Sequence, residues 1–470
     1  MPSTSEPHVL ILGGGYVGLY TAWGLQRHLG TTPMRITVVD PNPYMTYQPL
    51  LPEVAGGQVE PRNVTVPLRR ALGKSTVIRG SLQGLDHESR TATLSTVDGS
   101  TTTLTYDHVV FALGAVTRVF PTPGLREEGV GFKTLEEAVY LRDRVLEQVS
   151  RAAAMDDPAE RSKALTFVFV GGGYTGVEAL GELIDLAKLA VAEYPNLSRS
   201  DLRWVLVEAL DRVAPEVGVK LSGWTLESLR NRGVDVRLKT TMKSCTDGQV
   251  ELSDGQTIPT GTLVWTAGVT PNPALDLTGM PRGPKGHIAA NACLQVVDDD
   301  GNVVEGAWAA GDNAQVPDLT AAKQPAYYPP NAQNALRQAG VLAGNLLAAL
   351  QGRAPQEYRH ESLGSIASYG TGRGAANIRG FTVKGRPAWF LYRLYHGGAT
   401  PTFARKLRIF AGWFAEAFVP RDISPTTAVR KPRTPFLQAV EDADRKKEQE
   451  NEQKKQGKDE QDKQGKNEGK

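Results

Sequence analysis

The chain has 470 residues, with 53 Lys and Arg against 51 Asp and Glu, a formal net charge of +2, and a 40% hydrophobic composition. Near-balanced charge argues against nucleic acid as a partner. The two cysteines, Cys245 and Cys293, lie too far apart for a C-x-x-C pair, and the histidines lack ligand spacing, so neither a dithiol site nor a metal is expected. No apolar run reaches the roughly 18 residues that cross a bilayer, and no secretory signal is visible, so the length is expected to serve large cores.

In chain order, Val9 to Leu12 is a continuous apolar run, the pattern of a parallel strand covered on both faces. Gly13, Gly15 and Gly18 follow in G-x-G-x-x-G spacing. The first glycine permits a tight turn, the second lets backbone amides approach a pyrophosphate at a helix N-terminus, and the third lets helix and strand pack closely. A second strand, MRITVVD, ends in Asp40, where a carboxylate meets the ribose of an adenine dinucleotide. The segment MTYQPLLPEVAGGQVEP, residues 45–61, comes next.

The device then repeats. Phe167 to Val170, Gly171, Gly173 and Gly176 form a second strand and glycine turn, and LRWVLVEA ends in a second acid, Glu208. Two complete fingerprints imply two dinucleotides. An acid at Glu208 repels a 2′-phosphate and so favours NADH over NADPH. Ala112 to Gly114 and Thr266 to Gly268 are matching strand-to-glycine crossings between the two halves, and Gly311-Asp312 places a carboxylate at a helix entrance.

This order of motifs, over about residues 8–350, resembles the pyridine-nucleotide disulfide reductase superfamily, two-dinucleotide-domain flavoproteins. Three features resemble its type II NADH:quinone oxidoreductases: residues 45–61, Glu178 in GVEALGEL, and PPNAQNALRQAG. The last is similar to a quinone-site helix, A-Q-x-A-x-Q-Q, matched by Ala332, Gln333, Ala335 and Gln338; Arg337 stands where glutamine is usual. Gln333 and Arg337 are four residues apart and share one helix face. The resemblance implies an α/β fold of two Rossmann-like dinucleotide-binding domains, the second inserted in the first, plus a C-terminal membrane-associated helical region. It implies FAD-binding parts at 1–118 and 269–355, an NADH-binding domain at 119–268, and amphipathic membrane-surface helices at 356–430. Gly13, Gly15, Tyr16, Gly18, Asp40, Gln48, Ala112, Gly114, Gly311, Asp312 and Ala332 would then bind FAD. Gly171, Gly173, Gly176, Glu178, Glu208, Ala267 and Gly268 would bind NADH, and Glu178, Gln333 and Arg337 would be catalytic.

Near the C-terminus Phe403, Leu407, Phe410, Phe414 and Phe418 recur at helical spacing beside basic residues, as on a helix in a membrane interface. Trp389, Phe390, Tyr392 and Tyr395 are expected at headgroup depth. Packing on the chain's own core and a homodimer seam are the competing readings. Residues 431–470 are rich in both signs of charge and read as a disordered tail. The expected activity is transfer of hydride from NADH to FAD and of two electrons to a membrane quinone, without proton pumping, at the cytoplasmic face of the membrane. Two alternatives stay open: reduction of a soluble acceptor, which needs the aromatic stripe buried in the fold, and an NADH-sensing interaction flavoprotein with slow turnover.

Overall fold

The structure is a computed structural model and describes residues 6–449. The apolar strand His8–Leu12 is buried throughout and lies at the centre of an eight-stranded sheet. It pairs in parallel with Arg35–Asp40 on one side and His108–Phe111 on the other. Val303–Ala309 continues the parallel order beyond His108–Phe111, and Thr76–Asp86 continues it beyond Arg35–Asp40. Antiparallel strands close both edges: Gln295–Val297 at one, Thr91–Thr96 and Thr101–Thr105 at the other.

A second sheet of five parallel strands repeats the central arrangement. Its middle strand, Thr166–Val170, pairs with Arg203–Val207 and Thr262–Trp265, as His8–Leu12 pairs with its neighbours. The chain leaves the first sheet through Ala115–Thr117 and returns through Val269–Pro271, and these two strands pair antiparallel. Helix Leu135–Ala153 opens the second half on a capping box, in which Thr134 accepts from Glu137 N and Glu137 accepts from Thr134 N. Such a cap is worth about 1 kcal/mol and fixes where the helix starts.

The C-terminal region differs from the expectation of helices alone. Gly364–Ser368, Gly374–Ile378 and Phe381–Lys384 form a three-stranded antiparallel meander ahead of helices Arg386–Ala399 and Phe403–Glu416. Short strands with glycine at their ends gave no helical period and no long apolar run, so they escaped a periodicity reading. The two helices cross closely at Gly397, where a Cβ would stand 2.7 Å from Phe410 Cζ.

A second compact unit begins at Ser424. Within it, 434–449 are helical where the sequence reading expects disorder; Arg445 pairs with Glu441 one turn back at 3.8 Å. After Pro435 this stretch contains neither glycine nor proline and is rich in Ala, Leu, Gln, Glu, Lys and Arg, all favourable to helix. The rest of the expected tail, 450–470, lies outside the described residues.

Candidate active site

The two glycine turns have the same geometry. Gly13 has φ +108° and a Cβ there would stand 2.2 Å from Ala112 O; Gly171 has φ +110° and would meet Thr266 O at 2.5 Å. Gly15 faces open space, and a Cβ on Gly18 would stand 1.8 Å from Gly13 O. Gly173 is also open to 3.5 Å, while Gly176 would meet Gly171 O at 2.1 Å. Each turn thus has a tight first position, an open second and a third compressed between helix and strand, the form in which backbone amides can face a pyrophosphate.

The acids occupy matching places. Asp40 accepts from Gly14 N at 2.6 Å and from Asn42 N at 2.7 Å. Glu208 accepts from Gly172 N at 2.5 Å and Leu210 N at 2.7 Å. Each carboxylate pins its glycine turn and keeps acceptor capacity for a pair of hydroxyls. Burial raises the Asp40 carboxyl above its ordinary range, opposed by those two amides.

A cleft of about 430 Å³ runs from the first turn across the sheet ends. Its walls bring together Gly13, Gly15, Tyr16, Asp40, Gln48, Ala112, Gly114, Asp312 and Ala332. Gly18 and Gly311 act from behind: Gly18 lets the helix close on its strand, and Gly311 N donates to Gln338 Oε1 at 2.7 Å. Asp312 lies in a single 3₁₀ turn, Gly311–Asn313, rather than at the entrance of a longer helix, because a short strand follows at once. Two buried polar atoms in this cleft lack a hydrogen-bond partner among the described residues, Tyr16 Oη and Asp312 Oδ1. Unpaired buried polar atoms are costly, so their presence beside an open glycine turn fits a polar, phosphate-bearing ligand such as FAD.

Two residues that the sequence reading missed complete this wall. Lys133 pairs with Asp312 at 3.5 Å and accepts from Gln48 Nε2 through its carbonyl at 3.2 Å. Asn313 accepts from Gly114 N at 2.9 Å and donates to Phe111 O at 3.0 Å, tying the returning segment to the outgoing crossing. Asn313 directly follows the glycine-aspartate motif and was open to recognition; Lys133 carries no local signal.

On the second turn's side, Ala267 is half-buried and Gly268 is exposed with φ +103°. Glu178 lies one turn into helix Tyr174–Val191, half-buried, and accepts from Ser368 N at 3.0 Å. Burial, helped by Glu182, Glu53 and Glu216, pushes its carboxyl up to about 8. Gln333 and Arg337 are half-buried on helix Ala332–Leu350 and lie outside the cleft wall. The Arg337 guanidinium makes no ion pair among the described residues, and it adds to burial in holding His360 neutral.

The aromatic stripe is exposed rather than packed on the fold: Phe403 is 79% accessible, Phe414 71% and Phe418 74%. Helix Phe403–Glu416 instead buries Ile409 and Trp413. Of the rings expected at headgroup depth, Phe390 and Tyr395 are exposed, but Tyr392 is buried and donates to Pro49 O at 2.5 Å. Trp389 is half-buried beneath the Arg393 guanidinium, 4.3 Å from its ring centre. Both turn inward because the helix places them against the meander and the residues near Pro49, a neighbour that no local pattern announces.

Residues 7–339 match the family model described as pyridine nucleotide-disulphide oxidoreductase. The chain is 28% identical over 428 residues to a demethylphylloquinone reductase, NdbB, of Synechocystis sp., covering 87% of this chain and 96% of that one. It is 26% identical over 397 residues to a type II NADH:quinone oxidoreductase of Staphylococcus epidermidis, covering 82% and 93%. Its fold matches the structure of NDH2 from Plasmodium falciparum in complex with NADH, with a TM-score of 0.81 at 17% identity, over 89% of this chain and 100% of that chain.

Proposed function

The chain belongs to the pyridine nucleotide-disulphide oxidoreductase family, and from that premise we propose that it is a type II NADH:quinone oxidoreductase carrying FAD. The observation that carries this reading is the pair of matching glycine turns, each pinned by an acid, with unpaired Tyr16 and Asp312 atoms in the cleft beside the first. It is supported by relatives whose lengths this chain nearly spans, one named for quinone reduction and one for NADH and quinone chemistry.

When bound, FAD accepts hydride from NADH and hands two electrons to the quinone. The chain's own residues do the rest. Gly13, Gly15 and Gly18 cradle the FAD pyrophosphate, Asp40 takes the ribose hydroxyls, and Lys133 holds Asp312 toward the cleft. Gly171, Gly173 and Gly176 with Glu208 receive NADH, in a half of the chain that we assign to 119–268. Glu178 supplies a proton near the reacting rings, since a carboxyl raised to about 8 keeps its proton at neutral pH. Gln333 and Arg337 present hydrogen-bond donors to the quinone, Arg337 favouring the acceptor as it gains negative charge.

The exposed aromatic face serves as the membrane contact, through which a lipid-soluble acceptor reaches the site. Exposure of that face disfavours the soluble-acceptor alternative, which needs it covered. The test is NADH consumption with menaquinone or ubiquinone in vesicles, alongside sedimentation of the protein with those vesicles. The wild type should turn over and sediment, while Phe414→Glu with Phe418→Glu should lose at least tenfold in vesicle binding and keep activity toward a water-soluble quinone. Equal binding by the variant contradicts the assigned face.

A further inference from the structure

Behind Glu178 lies a cluster of buried charge that the sequence reading did not find. Glu182 is one helical turn further along the same helix and 0% exposed. One residue holds both acids: Ser368 donates its backbone N–H to Glu178 Oε1 at 3.0 Å and its hydroxyl to Glu182 Oε1 at 3.3 Å. On its other oxygen, Glu182 accepts from Gln58 Nε2 at 2.6 Å and faces Arg421 Nη1 at 3.8 Å.

The C-terminal segment reaches into the same space. Arg393 pairs with Glu53, another fully buried acid, at 3.4 Å and with Glu416 at 3.3 Å, and it donates to Gln58 Oε1. Arg421 approaches Glu416 at 3.9 Å and donates to Gly56 O at 3.2 Å. Trp413 Nε1 donates to Glu53 Oε2 at 2.8 Å. Asp185, which pairs with Arg232 at 2.6 Å, and Glu216 also lie nearby. Among the described residues three carboxyls, Glu53, Glu182 and Glu416, therefore face two guanidiniums, and Glu178 joins them through Ser368. A largely buried site with more carboxyls than guanidiniums does not sustain the full negative charge, so the cluster retains protons at neutral pH.

NADH reduces a quinone with the stoichiometry NADH + H⁺ + quinone → NAD⁺ + quinol. One proton per turnover comes from the medium. We propose that Glu182 is the proton store that reloads Glu178, one helical turn away and held by the same serine, while Arg393 and Arg421 set how tightly the store is held. The proposal rests on the quinone reductase reading. Each turnover moves a proton from Glu178 to one quinol oxygen, from Glu182 to Glu178, and from water to Glu182, while the other quinol proton is the hydrogen that NADH delivers. Refilling enters at the Glu416 and Arg421 edge, whose side chains are 20% and 11% exposed while those of Glu53 and Glu182 are at 0%.

The experiment separates the two half-reactions of the holoenzyme by stopped flow, with a water-soluble quinone as acceptor, across pH 6 to 9. Glu182→Gln should slow reoxidation at least tenfold above neutral pH, flatten its pH profile and leave NADH-driven reduction within about twofold. Ser368→Ala, which keeps the backbone bond to Glu178 but loses the hydroxyl, should slow reoxidation and raise its solvent deuterium effect. Infrared titration gives an independent reading that needs no turnover: the wild type should show a protonated carboxyl band titrating near pH 8, diminished in folded Glu182→Gln. Wild-type reoxidation rate and pH profile in both variants would overturn the store and leave the quinone reaction standing. A wild type that no quinone reoxidises removes the quinone reaction and this role of Glu182 together, whatever the infrared band shows.

Discussion

Glu208 accepts from the Gly172 and Leu210 amides, and in the proposed NADH site its charge would stand where NADPH carries a phosphate. Glu208→Gln keeps the shape and removes the charge. It should lower kcat/KM for NADH about tenfold, roughly 1.4 kcal/mol, and NADPH should suffer less or gain, as steady-state kinetics with both nucleotides will read. In the proposed quinone site Arg337 would be the corresponding residue on the acceptor side. A hydrogen bond from a charged donor is worth about 1.5–3 kcal/mol, so Arg337→Gln should slow flavin reoxidation by quinone about tenfold or more. Its reduction by NADH should be untouched. The glycines and their two acids were legible because spacing alone prescribes them. Lys133, Glu53 and Arg393 were not, because each acquires its partner from a segment far away in sequence.

At the scale of elements, helix Tyr174–Val191 carries Glu178 and Glu182 on one face, and their ionisation leaves a signature in stability. Glu178 ionises near 4.5 in an unfolded chain and at about 8 in the folded one, raised chiefly by burial; Glu182 is shifted in the same direction. Between those values the native state binds more protons than the unfolded state, so stability falls as pH rises. His396 has the opposite sign: burial lowers it from 6.5 to about 3, so its contribution is lost as pH falls through that window. Above pH 6.5 only the carboxyl slope of this set remains. Thermal melts from pH 6.5 to 8.5 should show a falling Tm in the wild type and a flatter curve for Glu182→Gln; parallel curves contradict the assignment. Periodicity also identified the amphipathic helix Phe403–Glu416, and its aromatic face is exposed. It failed for the meander 364–384 and for the helix 434–449, since short strands and a helix whose apolar residues stop at Ala443 lack the sustained apolar period on which such a reading depends.

For the molecule as a whole, the repeated glycine turn and the two crossings at Ala112 to Gly114 and Thr266 to Gly268 were visible because both halves use the same local sequence device; the paired strands Ala115–Thr117 and Val269–Pro271 that follow them were not. What sequence left hidden is how the C-terminal segment enters: Arg393, Trp413, Glu416 and Arg421 reach Glu53 and Glu182, so the part that bears the exposed aromatic face also sets the charge beside Glu178. The central claim is that electrons from NADH leave through a quinone. Its most direct test is to reduce the wild-type holoenzyme with one equivalent of NADH without oxygen and mix it rapidly with menaquinone or ubiquinone analogues. In parallel, the reduced enzyme is mixed with oxygen-saturated buffer while flavin absorbance is followed. The account predicts reoxidation by at least one quinone that is far faster than by oxygen; reoxidation by every quinone no faster than by oxygen would contradict it.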